Sequence, residues 1–258
     1  MESEQDLDDA VQNGDKSQMG EVTALLHKLE SFRPTELLAN PFRHEDSPHD
    51  LKEGAAIRRR NVEIYLNTQL ELRPQLILLG EAAGYQGCRF SGMAFTSEHT
   101  LQTNPFFAGK GCARSGTRER LWREPSGTIV WETIGLIQRP ALLWNILPFH
   151  PHRKGEPLSN RTPTPKERHS GLEYFLEVRK LFPEAAIIAV GRISAEVLTA
   201  NGIKHECVRH PSNGGKREFQ AGVLEIVKRI PKYNPPVLNR RGAVSAPSAV
   251  GETRRSQT

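Results

Sequence analysis

The hydrophobic residues of this chain fall into short apolar runs separated by stretches with helical spacing. The runs LILLG, ALLWNIL, AAIIAVG and HECVRH predict strands at 76–80, 141–147, 185–191 and 205–210. Apolar residues at helical spacing predict helices at 22–32, 56–72, 128–136, 166–182, 194–200 and 216–230. Strands alternating with helices predict an α/β fold: a three-layer sandwich with a mostly parallel, roughly four-stranded central sheet flanked by helices.

The two ends of the chain differ in composition from the middle. Residues 1–17 are acidic and polar, and residues 233–258 are rich in Pro, Ser and Arg. Segments of this kind bury too little apolar surface to fold by themselves. We therefore predict a single folded domain over residues 18–232, between a disordered acidic N-terminus and a disordered tail.

Composition narrows the class of protein. No apolar run approaches the roughly 20 residues that span a bilayer, and the acidic N-terminus differs from a secretory signal. The three cysteines form no CxxC pair and no zinc or iron–sulfur pattern. We expect a cytoplasmic protein with no membrane segment.

Polar residues follow three of the predicted strands. In parallel sheets, ligands bind beyond the carboxyl ends of the strands. The Gly-rich turn after the first strand, at 80–95, allows backbone N–H groups to approach a ligand. The amide of Asn145 has a donor and an acceptor that match the imide edge of a pyrimidine, and His210 could support negative charge on a carbonyl oxygen. Alternatively, Asn145 caps a strand end and His210 pairs with a backbone carbonyl.

A basic stretch lies between the first two of these strands. It contains Lys110, Arg114, Arg118, Arg120 and Arg123 and only one acid, Glu119. The formal net charge of +5 also leans toward a polyanionic partner. We favour contacts with DNA phosphates over the alternative of a solvated charged loop. A second polar loop at 159–162, which includes Arg161, either touches phosphates or caps the following helix.

His150 and His152 raise the possibility of a metal site. Residues two apart on an extended segment face the same side. No third ligand stands at a suitable spacing, so we predict no metal site.

The stretches GEAAGYQGCRFSGMAF, LLWNILPFHP and RHPSNGG resemble the three motifs of the uracil-DNA glycosylase superfamily. The resemblance covers about residues 73–230 and is to a divergent bacterial group that lacks the iron–sulfur cysteines. It implies a monomeric DNA repair enzyme that flips uracil out of DNA and hydrolyses its N-glycosidic bond, leaving an abasic site. Its partners would be uracil-containing DNA and abasic-site DNA, and it would need no cofactor.

The resemblance also implies roles for individual residues. Phe95 would stack on the flipped uracil, Asn145 would read its edge, and His210 would hydrogen-bond its O2 atom. The backbone of Glu81 and Ala82 would line the base pocket.

Other implied roles concern DNA and the attacking water. Ser212, with the neighbouring Asn213, would contact a phosphate beside the lesion. Ala82 stands where relatives have a water-positioning Asp, so Glu81 becomes the predicted catalytic carboxylate, acting on the water or on the sugar cation. The thymine-excluding Tyr of relatives aligns with Gly84, and Tyr85, one place later, is a predicted uracil-binding residue.

Two alternatives remain open from the sequence. The chain could be a glycosylase for another deaminated or mismatched base. It could also be a non-catalytic protein of the same fold that binds DNA or nucleotides, because a fold alone does not determine a function.

Overall fold

The computed structural model describes residues 4–46, 48–231 and 233, together with the backbone of two short strands near the C-terminus; side chains are described from Gln18 onward. The strands are β1 (Leu38–Ala39), β2 (Leu76–Ala82), β3 (Ala141–Leu147), β4 (His150–Pro151), β5 (Ala186–Val190), β6 (Glu206–Val208), β7 (Val237–Leu238) and β8 (Val244–Ser245). The helices are α1 (Glu4–Ser31), α2 (Gly54–Leu72), α3 (Cys88–Ser91), α4 (Glu98–Thr103), α5 (Pro125–Ile137), α6 (Pro165–Leu181), α7 (Arg192–Ala200) and α8 (Lys216–Arg229), with a 3-10 turn at Pro105–Phe107.

The central sheet has four parallel strands in the order β3-β2-β5-β6. Every residue of β3 is buried, as are the first five of β2, which is typical of a parallel sheet covered on both faces. The predicted α/β class with a four-stranded parallel sheet is confirmed. In this order β2 is an inner strand, and it pairs with β3, the edge strand that contains Asn145.

The helices lie on both faces of the sheet. The chain moves from β2 to β3 in one direction, and from β3 to β5 and β6 in the other. Right-handed crossovers therefore put α5 on one face and both α6 and α7 on the opposite face. Helix α8 contacts α5, while α6 packs along β3 and α7 along β5.

Local signals set the start of α6. Thr164 accepts a hydrogen bond from the Glu167 backbone, and the Glu167 side chain bonds back to the Thr164 N–H group. This reciprocal capping box satisfies two backbone donors that would otherwise have no partner. The predicted capping of this helix from the 159–164 loop is confirmed at Thr164.

The ends of the chain differ in part from the prediction. Helix α1 begins at Glu4, inside the segment predicted to be disordered, and an acidic sequence suits the positive end of a helix dipole. In the predicted tail, Tyr233 donates a hydrogen bond to the Leu72 carbonyl and β7 pairs antiparallel with β8; the other tail residues and residues 1–3 lie outside the described residues. The division into one folded domain and two disordered ends stays a prediction. Within the described part of the chain, no helix has the length and apolarity to cross a bilayer.

A buried ionic cluster fastens α3 to α2. Asp50 lies 2.9 Å from Nη1 of Arg58 and 3.0 Å from Nη2 of Arg89, with all three side chains almost fully buried. Burial acts to raise the pKa of Asp50, but Arg89 and Arg58 outweigh it and hold that pKa below its ordinary value. Because Arg89 lies on α3, the cluster fixes the turn that follows β2.

Candidate functional site

The first two site strands meet at Gly80. Gly80 and Asn145 are register neighbours in the parallel pair β2–β3, so their side-chain positions point to the same face of the sheet. A Cβ atom on Gly80 would stand less than 3.0 Å from both the Asn145 Oδ1 atom and the Phe95 ring. The lack of a side chain at Gly80 therefore allows an amide and an aromatic ring to meet above the sheet.

The Asn145 amide is buried, and its one described side-chain partner is the Cys88 thiol. Asn145 is 5% exposed, and among the described residues no nitrogen or oxygen atom hydrogen-bonds to its side chain. The Cys88 thiol lies beside it, and burial raises the pKa of that thiol, which keeps it neutral. The alternative of a strand-end cap has no capping contact to support it. A buried amide whose only described hydrogen-bonding neighbour is a thiol keeps donor and acceptor capacity for the edge of a planar polar ligand.

Phe95 has a strained backbone. Its φ of 53° lies in the left-handed region, which bulky residues rarely adopt and which often marks a functional position. The Phe95 ring centroid is 6.5 Å from that of His210, with 40° between the ring planes. The Phe95 ring thus lies between Asn145, in the C-terminal half of β3, and His210, beyond the end of β6.

The ring of His210 has a defined tautomer. The Ser212 backbone N–H donates to its Nδ1 atom at 3.2 Å, and the Ser212 Oγ atom is 2.8 Å from the same nitrogen. Burial lowers the pKa of His210, so the ring is neutral at pH 7. The proton of the neutral ring then resides on Nε2, which can donate to a ligand. The alternative of pairing with a backbone carbonyl is wrong for Nδ1.

The Glu81 carboxylate lies away from this group. Strand alternation puts Glu81 on the opposite face of β2 from Gly80, and Arg168 of α6 is the charged side chain that acts on it. Burial raises the pKa of Glu81, and Arg168 opposes that shift. Ala82 returns to the Gly80 face. The catalytic role of Glu81 stays a prediction, which this placement does not favour.

The turn after β2 is held from across the site by Asn160. The Tyr85 N–H donates to the Asn160 Oδ1 atom at 3.1 Å, and a Cβ on Gly84 would meet nothing closer than that Asn160 amide at 3.7 Å. The Tyr85 ring packs edge-on against Trp122, with centroids 5.6 Å apart. The space beside Gly84 is therefore bordered by an amide and not by the Tyr85 ring.

The basic stretch forms a loop with a fixed base and an exposed tip. The buried Glu98 Oε1 atom accepts from the N–H groups of Ser115 and Gly116 at 3.0 and 2.7 Å. Beyond that base, Arg118 lies over the Trp122 ring at 4.5 Å. Arg118, Arg120 and Arg123 are exposed and Arg114 is half-buried. The loop thus presents Arg118 beside the Tyr85–Trp122 pair.

Arg161 has a different environment from these arginines. Its five N–H groups bond to two Glu167 oxygens and to the carbonyls of His152, Thr162 and Leu37. No donor remains for a phosphate, so the structure gives Arg161 a fold-stabilising role in place of the predicted DNA contact. Asn213, in contrast, is exposed in a left-handed turn with φ of 51°, beside the exposed Ser212.

Sequence reasoning missed two side chains at this end of the sheet. One is Asn160; a polar loop at 159–162 was the only signal. The other is Glu124, whose Oε2 atom is shut off from solvent and has no hydrogen-bond partner among the described residues. Its signal was a Glu at the N-cap position of α5, where Ser, Thr, Asp or Asn is usual.

The two histidines considered as metal ligands are engaged elsewhere. Nε2 of the buried His150 is 2.8 Å from the Ser159 carbonyl oxygen, and Nδ1 of His152 is 3.0 Å from that of Arg153. Within the part of the chain that the structure describes, no three His, Cys, Asp or Glu residues form a group able to hold a metal ion.

Comparison with known proteins gives a likeness in fold. No family model matches the chain, and no curated protein matches it. The chain is similar to the crystal structure of wild-type Pedobacter heparinus SMUG2, with a TM-score of 0.57 and 14% sequence identity over 81% of this chain and 97% of that one. A likeness at this identity concerns the architecture, and both chains share it over nearly their whole folded length.

Proposed function

We propose that the protein is a DNA glycosylase that flips uracil out of DNA and hydrolyses its N-glycosidic bond, leaving an abasic site. The observation that carries the proposal is the convergence of the Asn145 amide and the Phe95 ring above Gly80, with His210 next to that ring. The fold likeness to SMUG2, a member of the uracil-DNA glycosylase superfamily, supports a glycosylase role in general.

Each of the three side chains suits one requirement of the reaction. A planar base needs a stacking surface, which Phe95 supplies. The uracil edge presents an N3–H donor beside carbonyl acceptors, which the acceptor and donor of the Asn145 amide complement. When the bond breaks, negative charge develops on the base, and the Nε2–H group of His210 stabilises that charge as it forms.

The target base must leave the helix stack before its bond can be reached. Extrusion costs a few kcal/mol and is least costly for a mismatched or single-stranded base. The exposed arginines at 118, 120 and 123 and the exposed Ser212 and Asn213 would hold the DNA phosphates while the base is extruded. The three motifs contain no lysine, so we expect no Schiff base with the sugar and no chain nicking.

The decisive experiment measures base release. A single-stranded oligonucleotide with one uracil is incubated with excess enzyme, and alkali-labile sites are quantified. We expect cleavage after alkali treatment for the wild type and strong loss for Asn145→Ala. Gly135→Ala serves as a matched control, because a Cβ there meets nothing within 4 Å. Absence of alkali-labile product from the wild type would exclude the proposed activity.

A second candidate is a glycosylase with a wider base range. It is favoured by the open position at Gly84, where a Cβ would meet only the Asn160 amide among the described residues and the Tyr85 ring packs on Trp122. Release of thymine or of 5-substituted uracil from G-mismatched duplexes tests this candidate. We expect Gly84→Tyr to suppress release of those bases more than release of uracil.

A further inference from the structure

We propose that the Glu124 carboxylate holds and activates the water that replaces the base at the C1′ carbon of the deoxyribose. This inference rests on the glycosylase activity proposed above and adds a residue to the same site. It also supplies the carboxylate that the site needs in place of Glu81, which faces the other side of the sheet.

The position of Glu124 is defined by two glycines. A Cβ on Gly127 would stand no more than 3.0 Å from both the Glu124 Oε2 atom and the Phe95 carbonyl oxygen. A Cβ on Gly87 would also collide with Glu124 Oε2. The carboxylate therefore lies against the backbone of the turn after β2 and close to the backbone of Phe95. A side chain on Gly87 or on Gly127 would overlap the Glu124 carboxylate.

Glu124 is also linked to the base-reading amide. The Cys88 thiol is near both groups: its side chain hydrogen-bonds with Asn145, and the Glu124 charge acts on it. That thiol is neutral, so it neither pairs with nor repels the carboxylate. Glu124 therefore lies near Phe95 through Gly127 and near Asn145 through Cys88.

The bonding of Glu124 does not suit a purely structural role. The residue occupies the N-cap position of α5, yet its side chain makes no capping hydrogen bond. Its Oε1 atom accepts one long bond from the Ser126 hydroxyl at 3.3 Å, and its Oε2 atom is buried without a partner among the described residues. A buried unsatisfied oxygen costs stability, and a hydrogen bond from a water would satisfy it.

In the proposed chemical step, Glu124 acts as the general base. The water oxygen forms a bond to C1′, and the water gives a proton to the Glu124 carboxylate. The C1′–N1 bond breaks, and its electron pair leaves with the uracil. The resulting anion is stabilised at O2 by the Nε2–H group of His210, and Glu124 later releases its proton to solvent.

The environment of Glu124 gives this step a pH dependence. Burial raises the pKa of Glu124 to about 7, against a small lowering by Ser126. The titratable group that faces it from α3 is Cys88, which stays neutral, and Asn145 from β3 does not titrate. His210 titrates at lower pH, because burial lowers its pKa. Since the base form of Glu124 exists above its pKa, the rate should rise with pH through about 7.

The test compares Glu124→Gln with the wild type in single-turnover excision of uracil across pH values on both sides of 7. We expect the rate to fall on the order of 10²–10⁴-fold, as for loss of a general base, and the rise near pH 7 to disappear. Glu124→Asp should keep part of the rate, and binding of abasic DNA should be unchanged. Glu132→Gln, on the exposed face of the same helix, is the matched control.

The outcomes separate the two proposals. An inactive wild type would reject the glycosylase function and this inference with it. If the wild type is active and Glu124→Gln keeps the wild-type rate and pH profile, only the inference is rejected. The inference is also rejected if the pH-dependent rise is lost in Glu81→Gln but kept in Glu124→Gln. If Glu124→Gln unfolds, a rate and pH profile of Glu124→Asp identical to the wild type overturns the inference.

Discussion

The Ser212 backbone N–H donates to the Nδ1 atom of His210 at 3.2 Å. This bond leaves Nδ1 as an acceptor and puts the proton of the neutral ring on Nε2. We predict that His210→Ala lowers the chemical rate on the order of 10²–10³-fold, the usual cost of losing one donor to a developing anion, with little loss of DNA binding. Single-turnover kinetics and anisotropy with abasic DNA measure the two effects.

His205→Ala is the control for this variant. His205 pairs with the carbonyl of Ile203 and directly precedes β6, the strand that leads to His210. Its replacement should leave the rate near that of the wild type. An unchanged rate in His210→Ala would remove His210 from the reaction.

The second prediction concerns the exposed arginines of the basic loop. Replacing Arg118, Arg120 and Arg123 by Ala should weaken binding to substrate and abasic DNA together. It should also flatten the salt dependence of binding by roughly 0.9 in the log–log slope for each duplex phosphate that the protein no longer neutralises. Fluorescence anisotropy of an abasic duplex over a salt series measures both quantities.

A second triple variant separates local contacts from net charge. Arg60→Ala, Lys180→Ala and Lys228→Ala remove the same number of charges from exposed helix faces, where each residue pairs with a glutamate three positions away. We expect this variant to keep most of the affinity and slope. Equal effects of the two triple variants would indicate a solvated loop without specific phosphate contacts.

Gly80→Ala should damage both the site and the fold. The new Cβ would overlap the Asn145 side chain and the Phe95 ring, and overpacking of this kind costs about 1–3 kcal/mol. We expect a lower urea midpoint and loss of excision. In Gly135→Ala the methyl group meets no neighbour, so that variant should be no less stable than the wild type.

The buried ionic cluster should dominate the stability of the turn after β2. Asp50→Asn leaves Arg58 and Arg89 buried without their counter-ion, which typically costs about 3–5 kcal/mol. Asp46→Asn is the matched control, because Asp46 is part-exposed and lies 3.9 Å from Arg89; we expect a change below about 1 kcal/mol for such a pair. Urea unfolding of both variants measures the difference.

The same cluster makes the free energy of unfolding depend on pH. Because the folded-state pKa of Asp50 is held below its ordinary value of 3.8, the contribution is complete above that value and is lost as pH falls through the folded-state pKa. The wild type should therefore lose stability below about pH 4 more steeply than Asp50→Asn. Parallel curves for the two proteins would show that Asp50 carries no such contribution.

Periodicity predicted the architecture well, because parallel strands in this chain are continuous apolar runs. The strand of Asn145 was predicted with the bounds observed, and the parallel sheet then brought three distant segments to one edge. The sequence could not reveal which way Glu81 faces, because that depends on where the strand register begins. The sequence also could not reveal that all N–H groups of Arg161 form hydrogen bonds within the fold. Nor could it reveal that the Glu124 side chain packs against Gly87 and Gly127. Those features depend on side-chain packing between segments far apart in the chain.

The pairing of Gly80 with Asn145 has a consequence for how preparations of the protein are judged. A shift of β3 by one residue would turn Asn145 to the opposite face and bring Trp144 or Ile146 over Gly80. Such a chain would keep its helical and strand content and much of its apolar burial. Circular dichroism would then count misaligned molecules as native, whereas specific activity after refolding would report only the fraction with the correct strand alignment.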